Sequence, residues 1–453
     1  MGKKKEKLQI LIEKLTKDIL VVIEDGVANG TLKPQYEICY RWKVNKFDKN
    51  TGQKNSAVGK RITKFSWRDA VYNVLQITRS LSMYYKSVVE ISEVYKLDNA
   101  LCSEYLDKLI IKIIESVLSQ DINSQSDITK YITLFIKDLK EEEQKYTVIV
   151  ELKGILLNPR LIKLDNNVSL RKPVKSDFEK EFYSGLTYNS HIPDPTAFLY
   201  VLRHEKGDIP SFRVFNKLQK EVDRVTKILS LFRVGSIEYI NYYVDTDSII
   251  NTTVSSASKT RFSGVDSYLI TRDDVSNLKT FWSTVNSIIL PIPLVGEQKD
   301  ANEISIAYDR YCDSLESGAL EKRISSAVMG LEALYLSPSE QQELSYRLRM
   351  RISKLLSLIG YTSNKVRVHI RDAYYIRSTY VHGGLVSKKD RTKYEKAYGN
   401  LNEFSKIIMD YLRASIVALL KRPSKTSLIQ IIDDSFLDNK KEEEIRKLLF
   451  VPY

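Results

Sequence analysis

The stretch Arg371-Asp-Ala-Tyr-Tyr-Ile-Arg377-Ser-Thr-Tyr-Val-His382-Gly383-Gly384 runs a helical pattern into two glycines. Val366, Ile370 and Ala373 recur at helical spacing, so the sequence predicts a helix over 363–382 that Gly383-Gly384 stops. At about 100° per residue, Arg371, Tyr375, Ser378 and His382 share one face. Arg377 falls on the stripe of Val366, Ile370 and Ala373 and is expected to be at least half buried. A buried guanidinium requires a carboxylate. Glu332, beside Val328, Leu331 and Tyr335, is the expected partner; Arg351, on the Leu344, Leu348 and Leu355 stripe, competes for it. The chain has only four histidines, His191, His204, His369 and His382, so few groups can exchange a proton near neutral pH. An arginine and a histidine this close can hold a phosphate and move a proton, which points to RNA cleavage. Ser378 stands one turn before His382, where it can orient the ring. Tyr375 and Tyr380 beside Arg371 offer stacking surfaces for bases.

Working outward, residues 299–425 read as a helical bundle with helices over 303–315, 320–336, 337–360, 363–382 and 392–421. Ser337 as N-cap, Pro338 at the first helical position and Glu340 closing a capping box mark the start of the third. Gly360 ends it. Leu401, Phe404, Ile408, Tyr411, Ser415 and Leu419 form the seam of the fifth, and Pro423 stops it. A short charged helix over 439–449 lies in the tail, residues 426–453.

Residues 1–145 read as mostly helical, with Leu8, Leu11, Leu15 and Ile19 at helical spacing, then Val74, Ile77 and Leu81, then Leu106, Ile110, Ile113 and Ile114. A polar, basic insert over 43–64 interrupts them, bracketed by Trp42 and Trp67, and is expected to be a solvated hairpin or loop. Its Gly52…Gly59-Lys60-Arg61 lacks the spacing and the hydroxyl of a phosphate-binding loop. Residues 146–298 change character. Short β-branched runs begin at Thr147, Leu161 and Phe198, a helix follows over 216–232, and a strand pair over 237–244 and 248–254 precedes a stiff break at Pro291-Ile-Pro293. The expected fold class is therefore multidomain and mainly α: a helical N-terminal region, a mixed α/β middle region and a C-terminal helical bundle.

With 70 Lys and Arg against 57 Asp and Glu, the chain carries a net charge of +13, which favours a polyanionic partner. Its three cysteines, Cys39, Cys102 and Cys312, are widely separated. That spacing argues against a disulfide framework or a zinc site and for a reducing, cytoplasmic location. No apolar run approaches the length of a membrane span, so no membrane partner is expected.

Three segments together resemble the HEPN superfamily, specifically its Apea-like group. They are Ala327-Val-Met-Gly-Leu-Glu332-Ala-Leu-Tyr, then Glu343-Leu-Ser-Tyr-Arg347-Leu-Arg349-Met-Arg351-Ile-Ser-Lys-Leu-Leu, then Ile376-Arg377-Ser-Thr-Tyr-Val-His382-Gly383. The resemblance covers roughly residues 300–425. It implies a helical bundle, commonly dimeric, in which an arginine four to six residues before a histidine marks endoribonucleases that need no metal and no cofactor. On that resemblance Arg377 and His382 carry the catalytic roles. Ser378 departs from the Asn, His or Asp that usually follows the arginine.

The resemblance implies RNA as substrate, attack by its 2′-hydroxyl, and a homodimer whose two motif copies form one composite site. Arg371, Tyr375 and Tyr380 would contact RNA; Ser378 and Glu332 would support the pair. Residues 1–298 would sense an activating ligand or viral protein, as in a regulated effector of prokaryotic antiviral defence. Two other readings stay open: a non-catalytic interaction or nucleotide-binding module, and a DNA-binding regulator that uses the basic insert.

Overall fold

The computed structural model describes residues 2–118, 125–140, 143–179, 181–183, 195–206, 211–246, 248–250, 254–257, 267–297, 302–421 and 425–451. His191, Pro423 and part of the strand expected over 248–254 lie outside them. The chain is mainly helical with some sheet, as expected. Among the described residues, no helix is long and apolar enough to cross a membrane.

The first helix, α1 (Gly2–Ala28), buries Leu8, Ile12, Leu15, Ile19 and Ile23, a helical stripe. The basic insert is a long antiparallel hairpin of β1 (Gln35–Asp48) and β2 (Gln53–Ser66), in register from Gln35 opposite Ser66 to Asp48 opposite Gln53. Helices α2 (Arg68–Arg79), α3 (Ser82–Tyr95), α4 (Asn99–Leu118) and α5 (Gln125–Asp138) pack with α1 around Val74, Ile91, Leu106, Ile110 and Ile113.

The middle strands are β3 (Glu143–Lys153), β4 (Ile155–Leu157), β5 (Leu161–Lys163), β6 (Val168–Arg171), β7 (Glu181–Tyr183) and β8 (Ala197–Lys206). Helix α6 (Ser211–Phe232), β9 (Glu238–Thr246), β10 (Val254–Ala257), β11 (Tyr268–Ile270) and α7 (Asp274–Asn286) follow. Six strands make one antiparallel sheet in the order β10-β9-β3-β8-β6-β5. Alternate residues Val148, Val150 and Leu152 of β3 are buried, as period-two side chains on a half-buried strand must be. The short β7 adds to the hairpin beside β1, and β11 pairs in parallel with β4. The second strand of the expected pair lies later than predicted, at β10. Helix α7, which the sequence did not announce, buries Leu278, Phe281, Trp282 and Val285, and Trp282 Nε1 donates to Asp165 Oδ2 at 2.7 Å.

The C-terminal helices are α8 (Glu303–Glu316), α9 (Leu320–Tyr335), α10 (Leu344–Ser357), α11 (Ser363–Val381), α12 (Lys388–Tyr398), α13 (Leu401–Ala418), α14 (Lys425–Asp434) and α15 (Asn439–Leu448). Their apolar faces and that of the six-stranded sheet form one continuous core. Ile292, between the two prolines, is part of it. Arg413 of α13, itself buried, donates from Nη1 to the carbonyls of Leu231 and Phe232, so a cation caps the end of α6.

Two helix boundaries differ from expectation. Residues 337–343 form a turn, not the start of a helix: Glu340 does accept from the Ser337 amide at 2.8 Å, but α10 begins only after Glu343, whose φ is +55°. The capping pair closes a turn here because the Glu340 carboxylate also binds arginines, as described below. The predicted fifth helix is two, α12 and α13. Gly399, at φ +83°, breaks the path, and the Asn400 side chain accepts from the Glu403 amide to start α13 afresh.

Candidate active site

Helix α11 buries Val366, Ile370, Ala373 and Ile376 and exposes Arg371, Tyr375 and His382. It stays helical to Val381. His382 is the C-terminal flanking residue, with its amide hydrogen-bonded to the Ser378 carbonyl at 3.2 Å. Gly383, at φ +80°, donates to the Tyr380 carbonyl at 3.0 Å, and Gly384 to the Thr379 carbonyl at 2.9 Å. These two bonds are the Schellman pattern, and they fix the backbone that carries the histidine. The last turn does not unwind.

Arg377 lies on the flank that faces α9. Its Nη2 donates to Glu332 Oε2 at 3.0 Å, and both side chains are largely shielded, 23% and 17% exposed. Its guanidinium carbon sits 5.8 Å from the centre of the Tyr374 ring, and its buried Nε has no hydrogen-bond partner among the described residues. Burial pushes the Glu332 carboxyl above the usual carboxylate range; the neighbouring Arg377 cation opposes that rise without cancelling it. The backbone of α9 passes close to α13 here: a Cβ on Gly330 would lie 2.7 Å from Leu412 Cδ2. A glycine two residues before Glu332 thus lets the helices approach.

Arg371 is turned back on its own neighbour. Its Nε donates to Asp372 Oδ1 at 2.8 Å, while the buried Asp372 also accepts from Tyr398 Oη at 2.6 Å. Sequence reasoning missed Asp372 and Tyr398. The signal was there in part: Asp372 stands beside Ala373 on the core-facing side of α11, where a carboxylate needs donors. Tyr375 is exposed, its Oη 3.4 Å from Asp390 Oδ2, and Tyr380 and Ser378 are half-buried. Val381 and Leu385 are apolar and exposed on either side of His382.

Arg351 does not compete for Glu332. It is 2% exposed and donates to Glu340 at 2.7 and 2.9 Å, to Asp433 at 2.6 and 2.8 Å, and to the Tyr335 carbonyl at 2.9 Å. Glu340 also takes Arg347 at 3.0 Å. Asp433 comes from α14, a helix the sequence reading did not place, so this acid was out of view.

Of the other histidines, His204 is exposed on β8. His369 is half-buried, with Nδ1 2.8 Å from Tyr411 Oη and its ring edge-on to Tyr398; burial pushes its pKa down. It is a packed, neutral side chain at neutral pH. Among the described residues, no group of three or more His, Cys, Asp or Glu is placed to hold a metal ion.

The arrangement thus offers an exposed imidazole at a rigid helix end and, five residues earlier, a shielded guanidinium with one arm on a carboxylate. The two point to different flanks of α11. Comparison with family models, curated proteins and solved structures finds no match to this chain.

Proposed function

We propose that the chain is an endoribonuclease of the HEPN type, with Arg377 and His382 as its catalytic pair. One observation carries the reading: His382 is exposed on a backbone locked by the Schellman turn, five residues beyond the guanidinium of Arg377, which Glu332 holds through one arm. His382 takes the proton from a ribose 2′-hydroxyl or gives one to the leaving 5′-oxygen. Arg377 stabilises charge on the phosphoryl oxygens. The 2′-hydroxyl attacks the adjacent phosphorus, the bond to the 5′-oxygen breaks, and the products are a 2′,3′-cyclic phosphate and a 5′-hydroxyl. The nucleophile belongs to the substrate, so the reaction class requires neither metal nor cofactor.

The pair diverges on one helix, which suits a composite site in which Arg377 of one copy serves His382 of another. The exposed Val381 and Leu385 beside His382 are apolar surface of the kind a homodimer covers. Arg371, Tyr375 and Tyr380 would contact RNA, with Ser378 and Glu332 in support. In this reading residues 1–298 restrain the enzyme in the cytoplasm until a ligand or viral protein acts on them, as an abortive-infection toxin of prokaryotic antiviral defence requires.

The test is cleavage of bulk RNA in EDTA by wild type and His382→Ala, with the 3′ ends analysed. Loss of cyclic phosphate products in the variant supports the reading. Equal cleavage by both, or none from wild type under any activating condition, sinks it. A non-catalytic HEPN module is the second reading. The observation in its favour is the Arg377–Glu332 pair, which packing alone accounts for.

A further inference from the structure

A cleft of about 650 Å³ opens between the tip of the β1–β2 hairpin and the turns at one end of the middle strands. Phe47 and Lys49 reach it from the hairpin, Arg160 from the β4–β5 turn, Lys172 and Lys175 from the segment after β6, and Arg272 from the segment after β11. Five cations therefore surround one opening, and no Asp or Glu lines it.

The carboxylates nearby are committed elsewhere. Asp48 accepts from the Asn50 amide at 2.8 Å and from Thr51 Oγ1 at 2.9 Å, closing the hairpin turn. Asp177 receives both arms of Arg171 at 2.8 and 2.9 Å. Among the described residues, Glu179 comes within 3.6 Å of Lys175, and the Asp48 charge also acts on Lys172. Lys172 donates to the Asn50 carbonyl at 2.6 Å. Lys49, Arg160 and Arg272 have no ion pair and no side-chain hydrogen bond among the described residues.

Converging like charges cost free energy, and a surface shaped for solubility alone intersperses the two signs. Here an anion would relieve the repulsion. The volume lies within the range of small-molecule sites, roughly 300–1,000 Å³. Half-buried Phe47 adds an apolar wall against which a flat ring can rest. An extended nucleic-acid strand calls for cations strung along a track, whereas these close around a single cleft.

We propose that this cleft is a binding site for a small, multiply phosphorylated ligand of the nucleoside di- or triphosphate class. Arg160, Arg272 and Lys49 grip the phosphates, and the base lies against Phe47. Because four separate segments contribute, an occupied cleft ties the hairpin to the sheet. The proposal does not rest on the ribonuclease reading.

The test is calorimetric titration of the full chain with ATP, with inorganic tripolyphosphate, adenosine and a single-stranded RNA oligonucleotide as comparators. ATP and tripolyphosphate should bind at one site per chain, more weakly as salt rises, and adenosine should not. The exposed pair Arg160→Glu and Arg272→Glu together should weaken ATP binding by about tenfold or more, a loss of about 1.4 kcal/mol, with an unchanged circular dichroism spectrum. His382→Ala should bind ATP as wild type does. No ATP binding up to millimolar concentration overturns the proposal, as does equal binding by the double variant. Tighter binding of the oligonucleotide than of ATP, lost in the same variant, would make the cleft part of a strand track instead.

Discussion

Arg377 reaches across from α11 to α9 and donates to Glu332 at 3.0 Å, while its own buried Nε has no acceptor among the described residues. The guanidinium is thus held by the Glu332 carboxylate. Removing it strands a shielded acid. Arg377→Ala should destabilise the chain by about 3 kcal/mol, measured by chemical denaturation. Glu332 has its carboxyl raised by burial, so its protonated form suits the fold and its charged form is the costly one. The loss in Arg377→Ala should therefore be greatest near neutral pH and shrink as acid protonates Glu332. Adding Glu332→Gln to the variant should recover part of the loss at neutral pH. A loss independent of pH, and unrelieved by that second change, would exclude the stranded carboxylate as its cause.

His382 behaves oppositely. Its side chain is exposed and the surrounding turn is held by backbone bonds. His382→Ala should change stability by no more than about 0.5 kcal/mol. Under the ribonuclease proposal it abolishes cleavage all the same. Comparing unfolding midpoints with RNA turnover separates the two catalytic candidates: a stable, dead His382 variant beside a destabilised, dead Arg377 variant. A His382→Ala protein as active as wild type would remove the histidine from the chemistry.

The glycine after it tests the geometry. Gly383 sits at φ +80°, in the left-handed region where a Cβ is disfavoured, and open space surrounds the position. Gly383→Ala should cost about 1–2 kcal/mol through backbone strain alone. If the Schellman turn positions the imidazole, the same variant lowers RNA turnover more than its loss of folded protein explains. Unchanged stability would mean that the turn relaxes to another form.

The helix that carries these residues was legible because its signals are local. The 3.6-residue stripe, the terminal glycines and the wheel position of Arg377 all lie within one segment, and Glu332 stands on a stripe of its own. What sequence reasoning missed depends on distant partners. Ser337, Pro338 and Glu340 look like a helix start, yet Glu340 faces Arg347 and Arg351, and the helix begins after Glu343. Arg351 looks like a competitor for Glu332 because its true partner Asp433 is 82 residues away on an unplaced helix. Gly399-Asn400 falls inside the helix expected over 392–421, just ahead of the Leu401 seam, although a glycine followed by an N-cap residue is a local break signal. The cationic cleft was invisible for the same reason as Asp433: Lys49, Arg160 and Arg272 meet only after the strands pair.

The Arg351 cluster yields the last prediction. Glu340 and Asp433 hold one buried guanidinium between α10, the preceding turn and α14. Hydrogen bonds from Arg351 above all, with the Ser337 amide and Arg347, pull the Glu340 carboxyl down to about 2. A carboxylate depressed by folding contributes stability that is present above its unfolded pKa, near 4.3, and is lost as pH falls toward the folded value. Wild type should therefore lose on the order of 2–3 kcal/mol from this site between about pH 5 and pH 2. Glu340→Gln has already lost that contribution, so it should be the less stable protein near neutral pH and converge on wild type in acid. Chemical denaturation of both proteins across that range reads the difference directly. Parallel pH profiles for the two proteins would show that Glu340 is not the group that titrates.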